Sequence, residues 1–213
     1  MKRLLTRIKR SVGPAADKSA EDTGFFASML PESGDDAQAA RTNWRERAPQ
    51  IGITPADREA AIELFTRLWG GDRHVVALTS EELLRMSHYL EFVQLAAHKE
   101  VISQDEFGDY MVIVLDGTLA VDRAQPGGGR IRLAEVHAGD MLGEMSLLDA
   151  GSRFSSCVTL TPCTLAMIDV QRLDDMITKE PRLSVALLAS LSRRLSLRLR
   201  QVSARLSALL SQN

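Results

Sequence analysis

Between residues 92 and 170 the chain breaks into short apolar runs separated by turn residues, and that rhythm limits the fold more than any other feature. Met111-Val112-Ile113-Val114-Leu115 is a five-residue apolar run closed by Asp116-Gly117, and Leu119 and Val121 alternate after it. Pro126-Gly127-Gly128-Gly129 marks a hairpin, with Ile131 and Leu133 alternating on its return, the pattern of a half-buried strand. Val158, Leu160, Leu165, Met167 and Ile168 supply further strands around Thr161-Pro162. Short strands at a spacing of about 8–12 residues predict an antiparallel jelly-roll β-barrel. A chain of 213 residues can bury one good core of that kind, with room for tails.

Helices flank the strands. Thr54 is the expected N-cap of a first helix, with Pro55 in its first turn and Asp57 completing a capping-box-like pattern. Ala61, Phe65, Leu68 and Trp69 share a face before Gly70-Gly71 ends it. A second helix opens near Ser80-Glu81-Glu82 and buries Leu83, Met86 and Leu90. After a short element over Arg172 to Ile177, Pro181 begins a helix that runs to the end. Its Leu188, Leu191, Leu195, Leu199, Val202, Leu206 and Leu209 are spaced 3, 4, 4, 3, 4 and 3, a near-heptad seam. Thirty helical residues span about 45 Å, more than a compact domain needs, and the surplus predicts a homodimer through this helix.

The expected division is a basic N-terminus and flexible linker over 1–50, an N-terminal helix over 51–77, the barrel over 78–180, and the long helix over 181–213. Within the linker, Phe25-Phe26 and Trp44 stand out as a short docking motif or as incidental aromatics.

The net charge of -2 hides an uneven distribution. Residues 1–10 carry Lys2, Arg3, Arg7, Lys9 and Arg10, the last helix carries six arginines, and all 28 acids lie between those two segments. Leu4, Leu5, Ile8 and Val12 fall on one side of a helix, so residues 1–12 are a candidate contact for an anionic membrane surface. No secretory signal or bilayer-length apolar run is visible, which makes the cytoplasm the expected compartment. Cys157 and Cys163 form no disulfide framework, and the four histidines lack metal-ligand spacing, so neither a metal nor a catalytic set is expected. The chain reads as a binding protein, not an enzyme.

The chemistry concentrates in Gly139-Asp140-Met141-Leu142-Gly143-Glu144-Met145-Ser146 and the Arg153 that follows. A carboxylate accepts bonds from sugar hydroxyls, amides at a helix start hold a phosphate, and an arginine neutralises it. Together they describe a nucleotide pocket.

These residues, with Asp109-Tyr110 leading into Met111–Leu115 and with Gly117 and Leu119, resemble the cyclic nucleotide-binding domain over about residues 78–205. The domain is shared by catabolite activator-type regulators, kinase regulatory subunits and cyclic-nucleotide-gated channels. The resemblance implies that Glu144 takes the ribose hydroxyl and Arg153 the cyclic phosphate, with Gly143, Met145 and Ser146 starting the short helix whose amides face the ligand. Where the family has a small residue after the arginine, this chain has Phe154, followed by Ser155. The Phe154 ring must turn outward, stack on a base, or fill the site.

The same alignment puts Arg198 where activator-type members contact adenine, with Arg194 beside it. A guanidinium offers only donors, which suits the O6 and N7 acceptors of guanine. The expected ligand is cyclic AMP, cyclic GMP or cyclic di-GMP, with Arg193, Arg194 or Arg200 available for the second phosphate of the last. No helix-turn-helix follows the last helix in this sequence, so sequence-specific DNA binding is not expected, and the output passes to an effector protein. The rival reading is a nucleotide-free interaction module with Phe154 in its pocket.

Overall fold

In the computed structural model, which describes residues 24–30, 41–73 and 75–211, a short 3-10 turn over Ala27–Met29 comes first, followed by β1 (Arg41–Thr42) and α1 (Trp44–Ile51). Then come β2 (Thr54–Pro55), α2 (Arg58–Gly71), α3 (Ser80–Met86), β3 (Glu91–Leu95), β4 (Glu100–Ile102), β5 (Phe107–Gly108), β6 (Tyr110–Asp116) and β7 (Leu119–Ala124). The chain continues through β8 (Arg130–Val136), β9 (Met141–Leu142), α4 (Glu144–Asp149), β10 (Ser156–Thr159), β11 (Cys163–Asp169), α5 (Val170–Lys179) and α6 (Pro181–Leu210). Strands β2-β3-β11-β6-β9 form one sheet and β4-β10-β7-β8 the other, and β1 pairs with β5 in parallel. This is the antiparallel jelly roll with flanking helices and a long C-terminal helix. Residues 1–12, with their expected membrane contact, lie outside the described residues.

The unbroken run of β6 follows from its place in the middle. Met111, Ile113 and Leu115 point into a cluster with Phe65, Trp69, Leu173 and Leu187 from the helices. Val112 and Val114 point the other way, into the barrel with Leu119, Leu165 and Met167. A strand covered on both faces has no reason to alternate.

The return strand differs from its expected pattern. Ile131 and Leu133 are about half exposed and only Val136 of β8 is buried. The strand pairs with β7 alone and forms an edge that leaves the core, so neither face of its outer part has a layer to pack against.

The expected helix start at Thr54 is corrected. Thr54 and Pro55 pair with Gln94 and Val93 of β3, and the Ala56 amide donates to the Phe92 carbonyl at 3.1 Å. The chain stays extended until Asp57, whose carboxylate accepts from the Ala60 amide at 2.9 Å and caps α2. The linker assignment also fails over residues 41–50. Asn43 caps α1 by accepting from the Glu46 amide, Trp44 is buried, and Gly52 closes the helix with φ 70°. Further upstream, the amides of Phe26 and Ala27 both donate to the Asp174 carboxylate at 2.9 Å, so Phe26 is a docked residue.

In α6, Leu183, Leu187 and Leu191 are buried, whereas Leu199, Val202, Leu206 and Leu209 are exposed. Among the described residues no helix is long and apolar enough to cross a membrane.

Candidate functional site

A cavity of about 640 Å³ opens between α4, the β10 end, the edge strand β8 and the second half of α6. That size is usual for a small-molecule site. Gly143, Glu144, Met145, Ser146, Arg153, Phe154, Ser155 and Arg198 all line it. The chain thus brings together every predicted site residue except Arg194.

Arg153 anchors the floor. It is 2% exposed, yet among the described residues no carboxylate forms an ion pair with it. Its Nη1 donates to the Gly143 carbonyl at 2.8 Å and its Nη2 to the Tyr110 carbonyl at 2.6 Å, with the guanidinium carbon 4.8 Å from the centre of the Tyr110 ring. Burial pulls its pKa below the ordinary guanidinium value, but an arginine remains charged at any physiological pH. A buried cation whose hydrogen bonds go to neutral carbonyls is costly even with Asp109 and Glu144 nearby, and an anion at the cavity would relieve that cost.

Two glycines make this placement possible. A Cβ on Gly108 would overlap the Arg153 guanidinium, and one on Gly143 would sit 2.7 Å from Nη1. Gly143 also adopts φ 82°, the left-handed turn that aims the first turn of α4 at the cavity. No side chain caps that turn, and the first amides of any helix lack an intrahelical acceptor.

Glu144 is 4% exposed and already engaged. Arg198 donates through Nη1 to its Oε1 at 2.5 Å and through Nη2 to the Met141 carbonyl at 3.2 Å. The guanidinium expected at a base therefore sits on the acid expected at a sugar. Arg194 does not line the cavity: it pairs with Asp72 and reaches Asp140 at 3.8 Å, which corrects its assignment as a base contact. One turn before Arg198, it faces α2 instead. Arg193 and Arg200 are exposed and outside the cavity, whereas Gln201, Val202 and Arg205 line it, of which the sequence placed Val202 on the helix seam and none at the ligand.

Phe154 does not plug the cavity. Its ring is 53% exposed at the rim, with the Arg123 guanidinium stacked 4.0 Å from its centre and hydrogen-bonded to its carbonyl. Cys157 lies in the wall, its thiol pushed up to about 12 by burial, and is no nucleophile there. Among the described residues no His, Cys, Asp and Glu cluster is placed to hold a metal ion.

Residues 92–180 match the family described as the cyclic nucleotide-binding domain. A CRP-like cAMP-activated global transcriptional regulator of Mycobacterium tuberculosis is 32% identical over 110 residues, 52% of this chain and 49% of that protein. Among solved structures, a cyclic nucleotide-binding domain from Methylobacillus flagellatus superposes with a TM-score of 0.67 at 23% identity, covering 76% of this chain and 90% of that one. The Thermus thermophilus catabolite activator protein gives 0.57 at 27% identity, covering 67% and 62%. The chain spans about half the length of the curated relatives it matches.

Proposed function

We propose that this chain, whose residues 92–180 match the cyclic nucleotide-binding domain family, is a second-messenger receptor whose cavity takes a cyclic purine nucleotide. One observation carries the reading: a buried guanidinium, Arg153, without an ionic partner among the described residues, facing a cavity beside the open first turn of α4. The cyclic phosphate would neutralise Arg153 and accept from the α4 amides, and a sugar hydroxyl would donate to Glu144. The Mycobacterium tuberculosis relative is cAMP-activated, which makes cyclic AMP the first nucleotide to test. The donor-only Arg198 makes cyclic GMP and cyclic di-GMP the comparison arms.

Arg198 gives the site a route to the long helix. A sugar at Glu144 must share the carboxylate with Arg198 or displace it, so occupancy changes how the second half of α6 is held against the barrel. Couplings of this kind are typically ~1–3 kcal/mol. The exposed seam of α6 pairs with the same helix of a second copy, and the homodimer presents the change to an effector protein. The named relatives are regulators, in keeping with a binding role instead of catalysis.

Calorimetric titration with the three nucleotides tests the reading. Saturable heat is expected with at least one. A folded protein silent to all three would overturn it.

A further inference from the structure

The ribbon Ser103–Tyr110 is gripped from two sides. On one side lies the segment that carries Arg153. The Asp105 amide donates to the Arg153 carbonyl at 2.8 Å, the Arg153 amide to the Glu106 carbonyl at 2.7 Å, and Phe107 bridges Ser152. The Arg153 guanidinium then reaches the Tyr110 carbonyl through space that only the bare Gly108 leaves open.

On the other side lies the strap β1–α1. Arg41 and Thr42 pair with Phe107 and Gly108, and the Trp44 amide donates to Asp109 Oδ1 at 3.3 Å. The Trp44 ring packs 4.9 Å from the Tyr110 ring, the same ring that carries Arg153 on a face. Arg47, 9% exposed, pairs with Glu106 and donates to Ser103. A guanidinium that shifts to meet an anion moves against a wall that the strap fixes, and a strap that leaves frees that wall.

We propose that the 41–51 strap is a built-in sensor of the nucleotide site, its docking on residues 103–110 and anion binding at Arg153 each stabilising the other. The proposal rests on the receptor reading above. It adds an output at the N-terminal side of the barrel, away from α6, and makes Trp44 and Arg47 positioning residues for Arg153. Because such coupling is reciprocal, the factor by which the strap raises affinity equals the factor by which nucleotide tightens the strap.

The test uses the full chain with cyclic AMP, and with cyclic GMP and cyclic di-GMP in parallel arms. In the wild type, amide hydrogen exchange over 41–51 is expected to slow about fivefold or more on saturation, the lower end of usual couplings. That protection is expected to vanish in Arg153→Ala. In Arg47→Met, which loosens the strap without touching the cavity, affinity is expected to fall by about the same factor. Trp44→Phe, a milder change, is expected to lower affinity less. The exchange measurement needs no variant and decides the matter even if Arg47→Met fails to fold. Nucleotide binding with unchanged exchange over 41–51 overturns the sensor and leaves the receptor standing. No binding in any arm overturns the receptor itself.

Discussion

Arg153 and Glu144 are not equal partners in the site. Among the described residues the buried arginine makes no ion pair with a carboxylate, so the ligand's phosphate would be its ionic partner; the glutamate already has one in Arg198. Truncating one member of a buried charge pair costs about 2–5 kcal/mol, so Arg153→Ala is expected to weaken nucleotide binding roughly thirtyfold or more. Glu144→Ala removes one bond to a neutral hydroxyl and frees Arg198 to turn elsewhere, so it is expected to cost less than Arg153→Ala. Dissociation constants of the two variants, measured side by side, check the order, and a larger loss at Glu144 would contradict it. Both residues were legible in the sequence because a carboxylate and a guanidinium in a small, apolar loop have few other uses. The Arg198–Glu144 bond was not, because 54 residues separate them and only the packing of α6 joins them. Gly108 was equally hidden, since nothing local explains it until Arg153 is seen beside it.

At the scale of elements, α3 shows how a start signal acts. Thr79 accepts from the Glu82 amide at 3.2 Å while the Glu82 carboxylate accepts from the Thr79 amide at 2.8 Å, a reciprocal capping box. Thr79→Ala is expected to cost about 1 kcal/mol in denaturant unfolding. The Thr79 amide first, and Arg182 second, hold the Glu82 carboxyl down at about 2. A folded value below that of the unfolded chain means Glu82 stabilises above the ordinary carboxylate range, about 4.3, and loses that contribution as pH falls toward about 2. The stability gap between wild type and Glu82→Gln is therefore expected to close over that window. The elements most legible in the sequence were those with period or length, such as β6, the Pro126–Gly129 hairpin and α6. Those lost were decided by tertiary pairing. Thr54 and Asp57 are both competent caps, and β3 chose between them by holding Thr54 extended. α1 carries Asn43 and Glu46 in a cap spacing and Gly52 at its end, and Trp44, Ala48 and Ile51 share its buried face, yet a pattern of three in eight residues, with Pro49 among them, is too short to stand out in the sequence.

For the whole molecule, the seam on α6 leaves a row of large apolar side chains in solvent. Leu199 is 68% exposed and Leu206 54%, on a helix whose first half is sealed into the core. Replacing Leu199 and Leu206 by Lys is expected to halve the sedimenting mass while circular dichroism stays unchanged; a monomeric wild type would remove the pairing altogether. The composition of this helix adds a consequence. From Pro181 to Leu210 it has no acidic residue, and Arg193 and Arg200 stand in solvent. Two such rods laid together have no anion of their own to exchange, so their cations repel at close range. Added electrolyte shortens the reach of that repulsion. Self-association should thus tighten as the buffer becomes more saline, the reverse of a complex glued by opposite charges.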